Sequence, residues 1–202
     1  WIEYIGERDG IWRGPVSSEE CFIGLLMDSV VAHPTVMLKR DKLFNTGNYY
    51  RQEFVPAEDY DLWVRLCPFC KFYNVPKVLL QYRVHEDQIS VRKESLIREK
   101  TDQIRTNILK YFLPAADNTS LQFLRQLWNF KAGYRINFEM IRNIPRLSKI
   151  LSGKGGVSRK AWKKSISQWV YNDLLITKNY DFGVGVWFLL LRPSYLLSKK
   201  KI

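Results

Sequence analysis

The sequence predicts an α/β domain over residues 1–90, followed by a basic, mainly α-helical region over 91–202. Three observations carry this division. Short apolar runs alternate with helix-start signals up to about residue 90, the pattern of strands interleaved with helices. Beyond Ser90 the chain reads as long helical stretches. The charge divides as well: residues 1–100 hold 14 Lys and Arg against 15 Asp and Glu, and residues 101–202 hold 18 against 5.

Each element has its own warrant. Ser17-Ser18-Glu19-Glu20 is a capping box, opening a helix through about Asp28 with Phe22, Leu25 and Leu26 on one side. Val36-Met37-Leu38, after His33-Pro34-Thr35, has the texture of a short buried strand. Arg40 to Phe44 fits one helical turn, stopped at Gly47. Asp59 to Leu66 predicts a helix with Leu62, Trp63 and Leu66 inward. Residues 71–75 and 78–84 predict strands separated by a Pro76-Lys77 turn. Residues 92–112, 119–152 and 158–177 predict helices, with a break at Leu113-Pro114 and a flexible stretch over 152–156. No internal repeat or low-complexity tract is present. Asn118-Thr119-Ser120 matches a glycosylation sequon, which matters only in a secreted protein.

Bulk composition narrows the function classes. The chain of 202 residues is long enough for a substantial core, and its 46% hydrophobic and 26% charged residues match a soluble globular protein. A net charge of +12, concentrated in the second half, suits contact with an anionic surface, either membrane or nucleic acid. Cys21, Cys67 and Cys70 cannot build a disulfide framework. Cys67-Pro68-Phe69-Cys70 has CxxC spacing, but no second pair completes a zinc site, and the motif follows a helix instead of opening one. It reads as two thiols in a turn. The longest apolar run, Val184 to Leu191, is far short of the roughly 20 residues a spanning helix needs. No signal peptide is visible, and the start at Trp1 suggests a piece of a longer protein.

The densest chemistry lies in Pro56 to Leu66, where Glu58, Asp59 and Asp61 precede an apolar helical face. Acids favour a helix start because of the macrodipole and the free N–H groups, and this alone would explain a lone pair. The surroundings add more: His33-Pro34-Thr35, Gly47 with Tyr49, Glu58-Asp59-Tyr60-Asp61-Leu62-Trp63, and Tyr82-Arg83-Val84-His85 with Ser90, in that order. In this order they resemble the second half of the family 2 inverting glycosyltransferases, which have the GT-A fold, the nucleotide-diphospho-sugar transferase architecture. The resemblance covers roughly residues 1–90 and implies a partial GT-A domain, its acceptor-side half. The donor-binding half would lie before Trp1, and 1–202 alone is expected to be inactive.

By that resemblance Asp59 is the catalytic base and Glu58 its helper, positioning it or contacting the acceptor. Inverting transfer is a single displacement at the anomeric carbon, so the attacking hydroxyl must lose a proton to a carboxylate within hydrogen-bond reach. Gly47, Arg83 and Asp61 are the expected donor- or acceptor-binding positions. Gly47 would let the backbone approach the sugar, and Arg83 would pair with the diphosphate or with Glu58. Asp61 also fits a scaffold acid of the helix turn. His85 reads either as a polar strand-end residue or, by resemblance, as a ligand of a divalent metal, Mn²⁺ or Mg²⁺, bridging the diphosphate. His33, ahead of Pro34, is assigned a structural place.

The implied partners are a nucleotide-sugar donor, a glycan or lipid-linked acceptor and, through residues 101–202, an anionic membrane surface. This expectation places the protein in bacterial surface polysaccharide biosynthesis, cytoplasmic and peripheral at the inner face of the cell membrane. Arg159-Lys160 and Lys163-Lys164 flank Trp162, Trp169 follows, and Lys199–Lys201 closes the chain after Trp187 to Leu191. That texture suits an interfacial contact, or equally a solvated basic bundle around a buried Trp and Leu core. Nucleic acid is not favoured, because no RNA- or DNA-binding signature accompanies it. The rival to the enzyme is a non-enzymatic basic membrane- or nucleic-acid-binding protein whose Glu-Asp motif is only a helix start.

Overall fold

A computed structural model describes residues 1–44, 47, 49–114, 118–128 and 138–167. The chain is mixed α/β and divides into two compact units, Trp1–Pro114 and Ala115–Ile202.

The first unit holds a three-stranded sheet. Strand β1 (Ile2–Gly6) pairs antiparallel with β2 (Gly10–Trp12) and parallel with β3 (Leu80–Val84), giving the order β2-β1-β3. The parallel register sets Ile2 opposite Leu80, Tyr4 opposite Tyr82 and Gly6 opposite Val84. The Tyr4 and Tyr82 rings meet edge to face at 6.1 Å, a cross-strand pair of the kind that stabilises sheets. Gly6 has φ of 101°, and a Cβ there would lie 2.5 Å from the Val84 carbonyl oxygen. Only glycine fits this close approach. The sequence assigned no strand before residue 17; β1 and β2 are new elements.

The capping box forms as expected. Ser17 Oγ accepts from the Glu20 amide at 3.2 Å, and Glu20 Oε2 accepts from the Ser17 amide at 3.3 Å. It starts α1 (Ser18–Leu25), which ends three residues before the expected Asp28. Helix α2 (Arg40–Phe44) is the expected single turn, and Gly47, at φ of 62°, donates its amide to Phe44 O at 3.3 Å. Helix α3 (Glu58–Leu66) follows a 3₁₀ turn at Gln52–Phe54. Leu62, Trp63 and Leu66 are buried, as their spacing demands.

Two expected strands are absent. Val36–Leu38 follows a 3₁₀ turn at His33–Thr35 that the Val36 amide closes onto His33 O at 3.2 Å, and Met37 is 97% exposed. Residues 71–75 run without ladder partners. Asn74 Nδ2 instead donates to Pro15 O at 2.8 Å and Val30 O at 2.9 Å, tying this segment to two loops. Strand propensity specifies a surface that fits a sheet, and neither segment has a neighbouring strand to fit.

Short helix α4 (Ile89–Arg92) leads into α5 (Glu94–Phe112). Helix α5 packs on α3, and Phe112 meets Phe22 of α1 edge to face at 5.6 Å. Arg105 of α5 donates to Met27 O at 2.8 and 3.2 Å. The helical texture begins near residue 90, as expected, yet the first compact unit continues to Pro114 because α5 supplies part of its core.

The second unit contains α6 (Asn118–Trp128), α7 (Phe138–Leu151, with Pro145 inside it) and α8 over residues 159–167. Ile144, Leu147, Leu151, Val157, Trp162 and Ile166 are buried. Arg159, Lys160, Lys163 and Lys164 are exposed around a Trp162 that is 0% exposed. Trp162 thus serves the core of this unit. Trp169, Trp187 to Leu191 and Lys199–Lys201 lie outside the described residues. No helix among the described residues is long and apolar enough to cross a membrane.

Substitution at α3 tests this packing. Leu62→Ala, at a residue 0% exposed, is expected to cost about 2–5 kcal/mol of stability. Tyr60→Phe, which deletes the 2.8 Å bond to Leu25 O, is expected to cost about 1 kcal/mol. Urea denaturation followed by tryptophan fluorescence measures both; equal effects from the two would contradict the packing described.

Candidate active site

Helix α3 sorts its three leading acids into different surroundings. Asp61 is 2% exposed. Its carboxylate accepts from Arg51 Nε at 2.9 Å and Arg65 Nε at 2.9 Å, with a further close contact to the Arg51 Nη2. Arg51 also lies 4.3 Å above the Phe54 ring. Both oxygens of Asp61 are therefore taken by guanidinium groups. This is the geometry of a scaffold acid, with no carboxylate oxygen left open towards a sugar.

Glu58 and Asp59 open the helix, one turn earlier. Asp59 Oδ1 accepts from the Tyr60 amide at 2.7 Å. Burial holds the Asp59 carboxyl above the usual carboxylate range, and the Glu58 charge adds to this; the Tyr60 amide and His33 act the other way. Glu58 Oε2 is buried and accepts no hydrogen bond among the described residues. A buried acceptor left without a donor is costly.

Two residues join the carboxylates. His33 Nε2 and Tyr50 Oη are hydrogen-bonded at 2.9 Å, with ring centroids 5.4 Å apart. His33 also meets the Trp63 ring edge to face at 5.9 Å. Asp59 and Trp63 are four apart on α3 and so lie on one helix face, which places His33 on that face. Burial raises the Tyr50 hydroxyl above its ordinary value, and the charges of Asp59 and Glu58 raise it further. The structural place expected of His33 is consistent with these contacts, and that Tyr50 is the contact is something no local sequence pattern indicates. The Tyr49-Tyr50 pair after Gly47 was the available signal, but which tyrosine faces the acids is a matter of tertiary contact.

The remaining expected residues lie elsewhere. Arg83 is exposed on β3, opposite Ile5 of β1, and no ion pair joins it to Glu58. His85 is exposed just beyond β3, and its carbonyl accepts from the Gln88 amide at 3.2 Å. Among the described residues no group of three His, Cys, Asp or Glu could hold a metal ion. His85 stands as one donor, and the described residues do not complete a cation site around it. Gly47 turns the chain out of α2, and a Cβ there would meet nothing within 4 Å.

Burial keeps the CxxC cysteines in the thiol form. Burial pushes the Cys67 thiol up to about 12 and the Cys21 thiol up to about 11, and raises Cys70 as well. Cys67 Sγ donates to Val64 O at 3.1 Å and Cys70 Sγ to Leu66 O at 3.3 Å, capping the end of α3. Thiols held in the protonated form are poor nucleophiles and poor metal ligands.

With this geometry in place, the comparisons with known proteins bear directly on it. A stretch of the chain is 38% identical over 68 residues to the O-antigen biosynthesis glycosyltransferase WbnJ of Escherichia coli. The match covers 32% of this chain and 25% of that protein. The chain is thus similar in part to a glycosyltransferase, and it spans about a quarter of that relative's length. No family model matches the chain, and no solved structure matches it.

The two aspartates of α3 should respond oppositely to substitution. Asp61→Ala leaves two guanidinium groups without their buried partner and is expected to cost about 3–5 kcal/mol. Asp59→Asn removes a carboxylate whose ionisation the fold opposes. Because the folded state raises its pKa, the native protein binds the proton more tightly than the unfolded chain, and stability falls as pH rises through this range. Asp59→Asn is therefore expected to be neutral or stabilising at pH 7, with any gain vanishing at acid pH. Urea melts of both variants at pH 4 and pH 7 check the pair.

Proposed function

We propose that this chain carries the acceptor side of an inverting glycosyltransferase of family 2, built on the GT-A fold and acting in surface polysaccharide biosynthesis. The similarity to a glycosyltransferase of O-antigen biosynthesis is the observation that carries this reading. The local chemistry supports it. Asp59 sits on a helix anchored by Leu62, Trp63 and the Arg51–Asp61–Arg65 cluster, and a base on such an element keeps its aim.

The proposed reaction is one displacement. The acceptor hydroxyl approaches the Glu58–Asp59 edge, and its O–H donates to Asp59. As the oxygen attacks the anomeric carbon of a nucleotide sugar, the proton passes to Asp59 and the nucleoside diphosphate departs from the opposite face. A half-buried carboxylate with a raised proton affinity is a stronger base than a solvated one. Glu58 Oε2, lacking a donor, accepts a second hydroxyl of the acceptor sugar and orients it.

The donor is a nucleotide sugar and the acceptor a glycan or a lipid-linked glycan. A divalent cation, Mn²⁺ or Mg²⁺, would neutralise the leaving diphosphate, with His85 as one of its ligands. Residues 101–202 would hold the enzyme at the inner face of the cell membrane, through their 18 Lys and Arg against 5 Asp and Glu.

In the full-length protein, assayed for sugar transfer with a screen of nucleotide sugars, Asp59→Asn is expected to lower kcat by about 10²–10⁴-fold with donor affinity unchanged. A variant of near-normal turnover would remove Asp59 from the base role. In the same assay His85→Ala should raise the Mn²⁺ concentration needed for half activity; an unchanged requirement returns His85 to a strand-end role. Co-sedimentation with liposomes tests the membrane partner. Binding should rise with the acidic-lipid fraction and fall with salt, and equal absence of binding to neutral and acidic vesicles would exclude it.

A further inference from the structure

We propose that the first compact unit carries a membrane-contact surface of its own. An open cavity between residues 35–42 and 69–79 seats on an anionic phospholipid layer, with Met37, Phe69, Tyr73, Val75 and Leu79 entering the headgroup region and Lys39, Lys42 and Lys71 meeting the phosphates. This surface lies outside the basic region 101–202 and does not depend on the glycosyltransferase reading.

The cavity holds about 680 Å³, and its walls are fixed from within. Phe72 is buried and its ring meets Trp63 at 6.0 Å, while Asn74 Nδ2 donates to Pro15 O at 2.8 Å and to Val30 O at 2.9 Å. With Phe72 and Asn74 held inward, Lys71, Tyr73 and Val75 are left exposed. The other wall follows the 3₁₀ turn at His33–Thr35, where Val36 and Leu38 are half-buried and Met37 and Lys39 are exposed. Lys42 joins them from α2. Met37, Phe69, Tyr73, Val75 and Leu79 are each half or more exposed, and all five line this one cavity. Soluble surfaces scatter such side chains singly; a contiguous group marks a place that meets another apolar phase.

Charge selects the partner. Three lysines line the cavity and no Asp or Glu does. Lys39 and Lys71 form no ion pair among the described residues. No arginine lines the cavity either. Arginine suits fixed, two-pronged recognition of a carboxylate on a folded partner, whereas lysine is a point charge on a flexible stem. That stem lies along apolar surface while its ammonium group reaches outward. A phospholipid layer presents phosphates in no fixed geometry above apolar chains, and a tyrosine ring, apolar with one polar end, suits the boundary between them. Exposed apolar side chains and unopposed lysines on one face are the combination that holds a protein at an anionic interface without crossing it.

Hydrogen exchange read by mass spectrometry on the full-length protein locates the contact. The probes are vesicles of phosphatidylcholine alone and of phosphatidylcholine mixed equally with phosphatidylglycerol. Residues 36–39 and 71–75 have no ladder partners, so their amides exchange fast in the free protein. Acidic vesicles should slow exchange in peptides covering 36–42 and 69–79, and neutral vesicles should do so far less. In co-sedimentation, Lys39→Gln combined with Lys71→Gln should lower partitioning onto acidic vesicles roughly 25-fold, about fivefold for each lysine. Met37→Ser combined with Leu79→Ser should remove the part of the binding that persists at high salt. All four side chains are exposed, and the exchange measurement on the wild type needs no variant. Unchanged exchange in both segments overturns the inference, as does protection confined to residues 101–202, which leaves the membrane contact to that region. Slow exchange of both segments before vesicles are added, unaltered by them, overturns it as well and shows the surface covered by protein. Partitioning of the lysine variant equal to that of the wild type also overturns it.

Discussion

The carboxylate of Asp61, buried between Arg51 and Arg65, is the constraint on which the rest of the site depends. Two guanidinium groups reach it, one from the loop before α3 and one from the next turn of α3 itself. A buried carboxylate without them would be strongly unfavourable, so the arrangement exists only when loop and helix are held together. Arg51 then lies over Phe54, and the segment from Arg51 to Glu58 has little freedom left. The acids at the helix start are aimed by an ion cluster in which they take no part.

That cluster works with the apolar face of the helix. Leu62, Trp63 and Leu66 are buried, Trp63 meets Phe72 at 6.0 Å, and the Tyr60 hydroxyl reaches Leu25 O at 2.8 Å. Phe112 of α5 and Arg105 with its contacts to Met27 O close the other side. Helix α3 is thus gripped along its length, while its first turn reaches the His33–Tyr50 pair. Asp59 thus has rigidity behind it and partial solvent access in front, and its proton affinity is raised by burial and by the neighbouring Glu58 charge.

The charge asymmetry of the chain belongs to a separate part of the molecule. The acidic cluster and its aromatic neighbours lie in the first compact unit, and the basic excess lies largely beyond it. Within the described part of the second unit the basic side chains surround a core of Ile144, Leu147, Leu151, Trp162 and Ile166. A solvated cationic face of this kind attracts anionic surfaces by long-range field and leaves the core untouched.

Much of α1 and α3 was legible in the sequence. A capping box and an apolar i, i+3, i+4 spacing are local signals, encoded within a turn or two of helix, and both elements form where those signals stand. The adjacent acids Glu58 and Asp59, and the glycine that ends α2, were legible for the same reason. The strand expected at 36–38 and the one at 71–75 were not realised, because a strand exists only through a ladder partner and residue type cannot supply one. Strand β1 has no local signal of its own: it exists through its partners at Gly10–Trp12 and, far along the chain, at Leu80–Val84. The site divides along the same line. The residue types able to accept a proton were determined by the sequence itself. Which acid stays half-exposed, which is sealed by arginines, and that His33 packs on Tyr50 and on Trp63 of the same helix were decided only by tertiary packing, because burial and contact depend on segments brought together from distant parts of the chain.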